Sequence, residues 1–471
     1  MEINKISETF IKPFSSTPPH LKTYKISLID QFLMYGVDIP LLFFYSNPRY
    51  DLANPIVSDD FISKRSQQLK QSLSETLVHY YPLAGRIKDH LSVDCNDEGV
   101  YYVEARATIP LSEYLNQPDH LTLMDSLLPR QPSCYESSSP GSYGVTIQET
   151  TFLCGSITIG LFGSHMIMDA AGLTSFIKAW AASATMCNTT KEIVPPSYDG
   201  ASIFPQYDAF PRDATMASFD GPFLKTGKLA ARTFVFDASS ISDLKTQAAT
   251  NSCAENPTRI EAVSSFLFEC ISAVLQAKSG VERPFAFSFL VSWKRKAIPP
   301  LPESLFGNFI WMASGLSSPE DTRLTRLVSK VRGAVRKINT NFVKNTQSDG
   351  AFSKLSEMIK ETSREFTSSS FINGVNFVMV SSLCNLGLYE VDFGWGKPIW
   401  VTCVDVPLNS APDDEFLNSM VLMDSRSGRG IEAWVFMDEE DLVLMEKYEK
   451  LLAYASINPS PLKRDLPVSH P

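Results

Sequence analysis

Positive charge is in short supply in this chain: 42 Lys and Arg stand against 52 Asp and Glu, a net charge of −10. Counterion release from a phosphate backbone needs a basic face, so a general nucleic-acid binder is excluded, while a local basic pocket remains open. Cysteine is sparse and unpatterned. The eight thiols, at 95, 134, 154, 187, 253, 270, 384 and 403, include no C-x-x-C pair, which reads as reduced thiols and not as a disulfide framework. No apolar run fits a bilayer, because the most apolar stretch, Phe152 to Leu173, is interrupted by His165 and Asp169 and by glycines and serines. Met1 to Ser16 has no apolar h-region, and Ser469-His470-Pro471 matches no prenylation or peroxisomal tail. These absences lead to the expectation of a soluble cytoplasmic protein with no nucleic-acid or membrane partner.

Several chemistries are missing as well. The chain has no Walker A loop and no G-x-S-x-G, and the histidines at 20, 79, 90, 120 and 470 show no ligand spacing, so no metal site is expected. What remains is ordinary globular composition: 44% apolar and 20% charged residues over a length that suggests about two or three domains.

Residues 61–80 read as a helix, with Ile62, Leu69, Leu73 and Leu77 on one face, Asp59 and Asp60 at its start and Pro82 after its end. Ser92 to Ala105 reads as a hairpin turning at Cys95-Asn96-Asp97-Glu98-Gly99. Strands are expected at Gly144–Gln148 and Phe152–Phe162, and a helix at Leu173–Thr185. Residues 188–222, broken by Pro195, Pro196, Pro205, Pro211 and Pro222, keep no period and read as a crossover linker. Beyond it, Ala231–Asp237 is strand-like. Thr258-Arg259-Ile260-Glu261 is a capping box that predicts a helix near 259–277. A buried strand is expected at 284–293, helices at 321–341 and 353–365, strands at 375–381, 398–404 and 431–437, and a closing helix from Glu439 to about Ala455. Alternating helices and strands on both sides of the linker predict two α/β halves of similar size, 1–187 and 223–471.

Chemistry concentrates in Gly163-Ser164-His165-Met166-Ile167-Met168-Asp169-Ala170-Ala171-Gly172. Here a histidine and an aspartate four apart follow a long strand among apolar and small residues. Two ionisable groups in such surroundings are costly unless paired or used. An imidazole suits a general base near neutral pH, and the plain alternative is a core histidine bonded to a carbonyl. Gly428-Arg429-Gly430-Ile431-Glu432-Ala433 fits G-x-G-x-x-A but precedes a strand, so a hairpin turn is expected there. Asp392-Phe393-Gly394 has no H-R-D before it, which removes the kinase reading.

Asp392-Phe393-Gly394-Trp395-Gly396, taken with His165 and Asp169, resembles the plant BAHD acyl-CoA-dependent acyltransferases, which carry H-x-x-x-D and D-F-G-W-G. The resemblance covers nearly the whole chain. It includes Ile11-Lys12-Pro13, Leu28-Ile29-Asp30-Gln31, Tyr81-Pro82-Leu83-Ala84-Gly85-Arg86, Val93-Asp94-Cys95-Asn96-Asp97-Glu98-Gly99, Gly307-Asn308 and Gly430-Ile431-Glu432-Ala433-Trp434. It implies two chloramphenicol-acetyltransferase-like α/β domains with mixed sheets, joined by a long crossover loop and enclosing a channel. It also implies a monomer that uses acyl-CoA as co-substrate and holds no tightly bound cofactor.

His165 is then the general base of a ternary complex. Asp169 supports the histidine loop by pairing with a basic residue, here Lys294 in Ser292-Trp293-Lys294, with Arg295 as the alternative. Ser381 of Ser381-Ser382-Leu383 is the possible oxyanion donor, beside the plain reading of a strand serine. Thr258, Arg259, Asp392, Gly394, Trp395 and Gly396 fall on the CoA side. Ala170 replaces the family's glycine, which is tolerated unless its φ is positive. The opening segment resembles the clade of vinorine synthase, other alkaloid acyltransferases and acylsugar acyltransferases. That implies transfer of an acetyl or other short or branched aliphatic group to a hydroxyl of an alkaloid, sugar or terpenoid. The rival reading is a non-catalytic family member that binds or regulates.

Overall fold

The computed structural model describes residues 2–33, 38–47, 57–117, 120–129, 141–185, 194–211, 223–250, 255–348, 350–367, 374–403 and 415–462. The first half contributes strands β1 (Ile3–Ile11), β2 (Asp38–Tyr45), β3 (Val100–Ala107), β4 (Val145–Thr151) and β5 (Ile157–Ser164). The second contributes β6 (Leu229–Phe236), β7 (Phe285–Ser292), β8 (Ile310–Ser317), β9 (Asn376–Ser382), β10 (Trp400–Thr402), β11 (Ser419–Asp424), β12 (Ile431–Asp438) and β13 (Ser456–Ile457). Seven of these form one mixed sheet in the order β8-β7-β9-β11-β12-β6-β13. The eighth, β10, crosses over and closes the other sheet, whose order is β1-β3-β4-β5-β2-β10.

Helices α1 (Asp59–His79) and α2 (Ala170–Thr185) cover one face of the first sheet, and α3 (Ala238–Ala249), α4 (Arg259–Ser279) and α5 (Leu324–Lys337) cover one face of the second. Their ends follow local chemistry. The Ser58 hydroxyl accepts from the Phe61 amide to start α1, and Thr258 and Glu261 exchange both bonds of a capping box at the head of α4. Among the described residues α4 alone is long and apolar enough to cross a membrane. With 67% of its most apolar window buried, it packs as a core helix.

Each sheet buries its own cluster. One runs through Phe43, Leu73, Ile159 and Trp180, and the other through Phe266, Phe287, Trp311 and Val435. The faces turned toward each other are not independent: Trp400 stacks on Phe44 at 5.0 Å and on Trp434 at 6.0 Å, tying β10, β2 and β12 into one aromatic contact.

Several expectations need correction. The arms of the expected hairpin at 92–105 do not pair. Ser92–Asp94 joins a three-stranded sheet with Thr23–Lys25 and Arg86–Ile87, while β3 lies between β1 and β4. The turn is real, with Asp97 and Gly99 at positive φ, but it carries the chain from one sheet to the other. Phe152 belongs to the turn that closes β4 onto β5 and not to a strand. The 321–341 helix ends at Lys337, where Asn339 caps a separate short helix, Thr340–Thr346, through two amides. The closing helix likewise breaks into Glu439–Met445 and Glu449–Leu452. Within 188–222 the described residues include a helical turn, Gly200–Ile203, and the buried Phe204 and Phe210. Cys134, Cys187 and Cys253 lie outside the described residues, and Cys95, Cys154, Cys270, Cys384 and Cys403 are buried.

Candidate active site

β5 is buried along its whole length, and its last residue, Ser164, delivers the chain into a tight turn carrying His165. The imidazole is half-buried and reaches the second half of the molecule, where its Nδ1 lies 2.9 Å from Asn308 Oδ1. The amide of Asn308 cannot be turned the other way without loss. Its Nδ2 donates to Asp30 Oδ1 at 2.8 Å and to the His165 carbonyl at 2.8 Å, so Oδ1 is the acceptor facing the ring. Nδ1 therefore carries the proton, and the lone pair resides on Nε2. Burial lowers the imidazole pKa below its usual value, against the opposing pull of the Asp169 carboxylate and the Asn308 bond.

Asp30 anchors this arrangement. It is 1% exposed, and its oxygens accept from the Asn308 amide N–H at 2.7 Å, from Asn308 Nδ2, and from the Ser27 amide and hydroxyl at 3.1 and 2.6 Å. Burial outweighs these four bonds and pushes its carboxyl up to about 6. Asp30 and Asn308 sit in blocks noted above only for their resemblance, with no role attached. The available sequence signal was Ser27-x-x-Asp30, a local capping box whose aspartate has bonding capacity beyond its own helix.

Asp169 does not form the expected ion pair. Its carboxylate accepts from the Gly172 amide at 2.9 Å and the Phe309 amide at 3.1 Å, which pins the head of α2 to the strand that follows Asn308. Lys294 is buried beneath it, with Nζ donating to the carbonyls of Leu305 at 2.6 Å and Glu303 at 3.3 Å and lying 4.8 Å from the Phe309 ring centroid. Burial lowers its pKa, and the Asp169 charge acts the other way. Lacking a guanidinium fork, the lysine settles on carbonyls and reaches Asp169 only through space. Arg295 is exposed and pairs with Glu303 at 2.8 Å. Ala170 opens α2 and is not among the residues at positive φ, so the replacement of glycine there is accommodated.

Ser381 is half-buried on β9. Its register partner is Val421, whose partner is Trp434, so it belongs to the row of the second sheet that faces the first. The other expected residues lie apart from His165. Thr258 caps α4. Arg259 donates to Asp424 at 2.6 Å, to Asn385 Oδ1 at 2.8 Å and to the Gly428 carbonyl at 3.2 Å, beside a cavity of about 670 Å³ that Lys245 also lines.

The Asp392 carboxylate accepts from the amides of Gly394 and Gly396, at 2.8 and 2.9 Å. Both glycines are at φ values above +100°, which an L side chain avoids, so the motif is a turn that only this pattern closes. Phe393 packs on Trp180 and Tyr45, and Trp395 stacks on Phe393. Tyr45 ends β2 at the opposite end from Asp38, which pairs with Ser164. Seven residue steps along a strand put this turn about 23 Å from that end of the sheet. Gly428 does close the β11–β12 hairpin, as expected. No group of three or more His, Cys, Asp or Glu among the described residues could hold a metal ion.

The chain and its architecture have counterparts among known proteins. The chain is 41% identical over 462 residues to an epi-neemfruitin B 7-O-acetyltransferase of Melia azedarach, covering 98% of this chain and all of the other. It is 39% identical over 469 residues to a limonoid 7-O-acetyltransferase of Citrus sinensis, again covering 98% of this chain and all of the other. The crystal structure of vinorine synthase superposes with a TM-score of 0.75 at 31% identity, covering 97% of this chain and 99% of that one. A Fusarium sporotrichioides TRI101 structure, at 16% identity and a TM-score of 0.69, shares the two-domain fold. The sequence model of the Transferase family matches residues 1–452, and the chain therefore belongs to that family, the BAHD acyltransferases.

Proposed function

We propose that this acyltransferase moves an acetyl or other short or branched aliphatic group from acyl-CoA to a hydroxyl of a plant specialised metabolite, with both substrates bound together. A polycyclic terpenoid alcohol is the favoured acceptor, because the two relatives at 41% and 39% identity are named for limonoid-type 7-O-acetylation. An alkaloid alcohol is second, on the 35% identity to an akuammiline synthase of Alstonia scholaris. The observation that carries the chemistry is the fixed tautomer: with Nδ1–H donating to Asn308, Nε2 is the basic nitrogen.

In this reading His165 Nε2 takes the acceptor's hydroxyl proton as the oxygen attacks the thioester carbonyl. The tetrahedral oxyanion collapses, the C–S bond breaks, and the imidazolium returns the proton to the CoA thiolate, a competent leaving group since thiol pKa values lie near 8.5. A pKa held below the ordinary imidazole value keeps the base unprotonated at neutral pH. We assign Ser381 as oxyanion donor, supported by its place on the facing row of β9 and by a hydroxyl that bonds no described residue. Asp169 holds the histidine turn. Thr258, Arg259 and the Asp392–Gly396 turn are assigned to the CoA side as shaping residues, and 1–187 and 223–471 as the two domains around 188–222.

The test is CoA thiol release from purified protein with acetyl-CoA and a panel of polycyclic alcohols. Acceptor-dependent release is expected, falling by on the order of 10²–10⁴ in His165→Ala with the melting temperature held. Full turnover in that variant would sink the base assignment.

A further inference from the structure

β2 begins at Asp38, in register with Ser164, the residue that precedes His165. Side chains alternate along a strand, so Asp38 shares its face with Leu42 and Phe44. At Phe44 that face meets both Tyr114 of the first half, at 6.1 Å, and Trp400, which stacks in turn on Trp434 of β12. The opposite face carries the helices: a Cβ added at Gly163 would lie 2.8 Å from Leu173 of α2. Asp38 and Ser164 thus emerge together at one end of the sheet, on the side toward which His165 reaches for Asn308.

No described residue balances the Asp38 carboxylate. It makes no hydrogen bond or ion pair with a described residue, and burial alone pushes its pKa well above the ordinary range. The contrast with Asp30, whose two oxygens accept four bonds, is direct. A half-buried carboxylate with no partner among the described residues is costly, and its neighbours along the face are apolar, so it adds nothing to the core. Such a group placed beside a reacting centre is a recognition element awaiting a donor from the substrate.

We propose that Asp38 selects the acceptor: its carboxylate receives a hydrogen bond from an O–H or N⁺–H group of the acceptor other than the hydroxyl that is acylated. This rests on the acyltransferase reading above. An acceptor that lacks the second donor leaves the carboxylate half-buried and unpaired once the acceptor covers it, so discrimination against it is built into the site.

The experiment compares two acceptor pairs with acetyl-CoA: a polycyclic diol against the mono-ol lacking its second hydroxyl, and an alcohol bearing a protonated tertiary amine against its carbon isostere. Wild type should prefer the donor-bearing member of one pair by about 10-fold or more in kcat/KM. In Asp38→Leu that preference should collapse to within about 2-fold, through the acceptor KM and not through the KM for acetyl-CoA. Asp38→Asn separates the sources, keeping a preference for the diol but losing one for the ammonium. An unaltered preference in Asp38→Leu overturns the proposal, as does an equal loss on both members of each pair with a lowered melting temperature, which marks a structural role. If wild type releases no CoA with any alcohol, the acyltransferase reading fails instead. Calorimetric binding of the same pairs to wild type and Asp38→Leu then decides the role of Asp38 alone.

Discussion

His165 owes its tautomer to a residue 143 positions away, and that residue owes its orientation to Asp30. A local reading of H-x-x-x-D contains the proposed base but not the group that sets its tautomer. Replacing Asn308 by Ala should therefore act on chemistry more than on folding, lowering kcat on the order of 10²-fold as the wrong tautomer becomes populated. The pH profile gives the sharper readout. Burial holds the imidazole below its ordinary pKa near 6.5, so the acid limb of kcat/KM should fall below that pH. The Asn308 bond pulls the other way, so its removal should carry the limb lower still. A loss of kcat with the acid limb unmoved would mean that Asn308 only packs.

Helices are where local chemistry decided most. The capping box at Thr258 and the Ser58 cap start α4 and α1 close to where the sequence places them, because caps and apolar periodicity act within one turn. Glu261 does double service: besides closing the box it receives two bonds from Arg332 of α5, at 2.9 and 2.8 Å, which ties the head of α4 to the body of α5. Thr258→Ala should cost about 1 kcal/mol in urea unfolding, and Glu261→Ala clearly more, since it also removes the carboxylate from Arg332 and leaves that guanidinium only the Glu255 and Asn256 carbonyls. Equal costs for the two variants would show that the Arg332 contact contributes nothing. The expected 321–341 helix and the closing helix failed for a similar local reason, since Asn339 offers its side chain as a new cap and Tyr448 departs from helical backbone.

At the scale of the molecule the two halves are stitched by a three-residue strand. β10 leaves the second half, pairs with β2 of the first sheet, and places Trp400 between Phe44 and Trp434. Unfolding either half exposes that contact, so wild type should melt in a single calorimetric transition. Trp400→Ala should lower stability by about 3–5 kcal/mol and split the melt in two. One narrow, slightly shifted peak would show that the bonds of Asp30 and His165 to Asn308, and of Asp169 to Phe309, couple the halves without Trp400.

By itself the sequence determined most elements: an α/β chain, a buried strand running up to the candidate residues His165 and Asp169, a glycine turn at Asp392–Gly396, and a hairpin at Gly428. Each depends on residues within a few positions of one another. Only the tertiary structure decided which strands pair, that Asp169 binds amides and not Lys294, and that Asp30, Asn308 and His165 share one network across 278 residues of chain. It also left Asp38, beside Ser164, without a partner among the described residues. Sheet order and buried hydrogen bonds between distant segments depend on which edges and donors remain unsatisfied once the chain has collapsed, and no window of sequence holds that information.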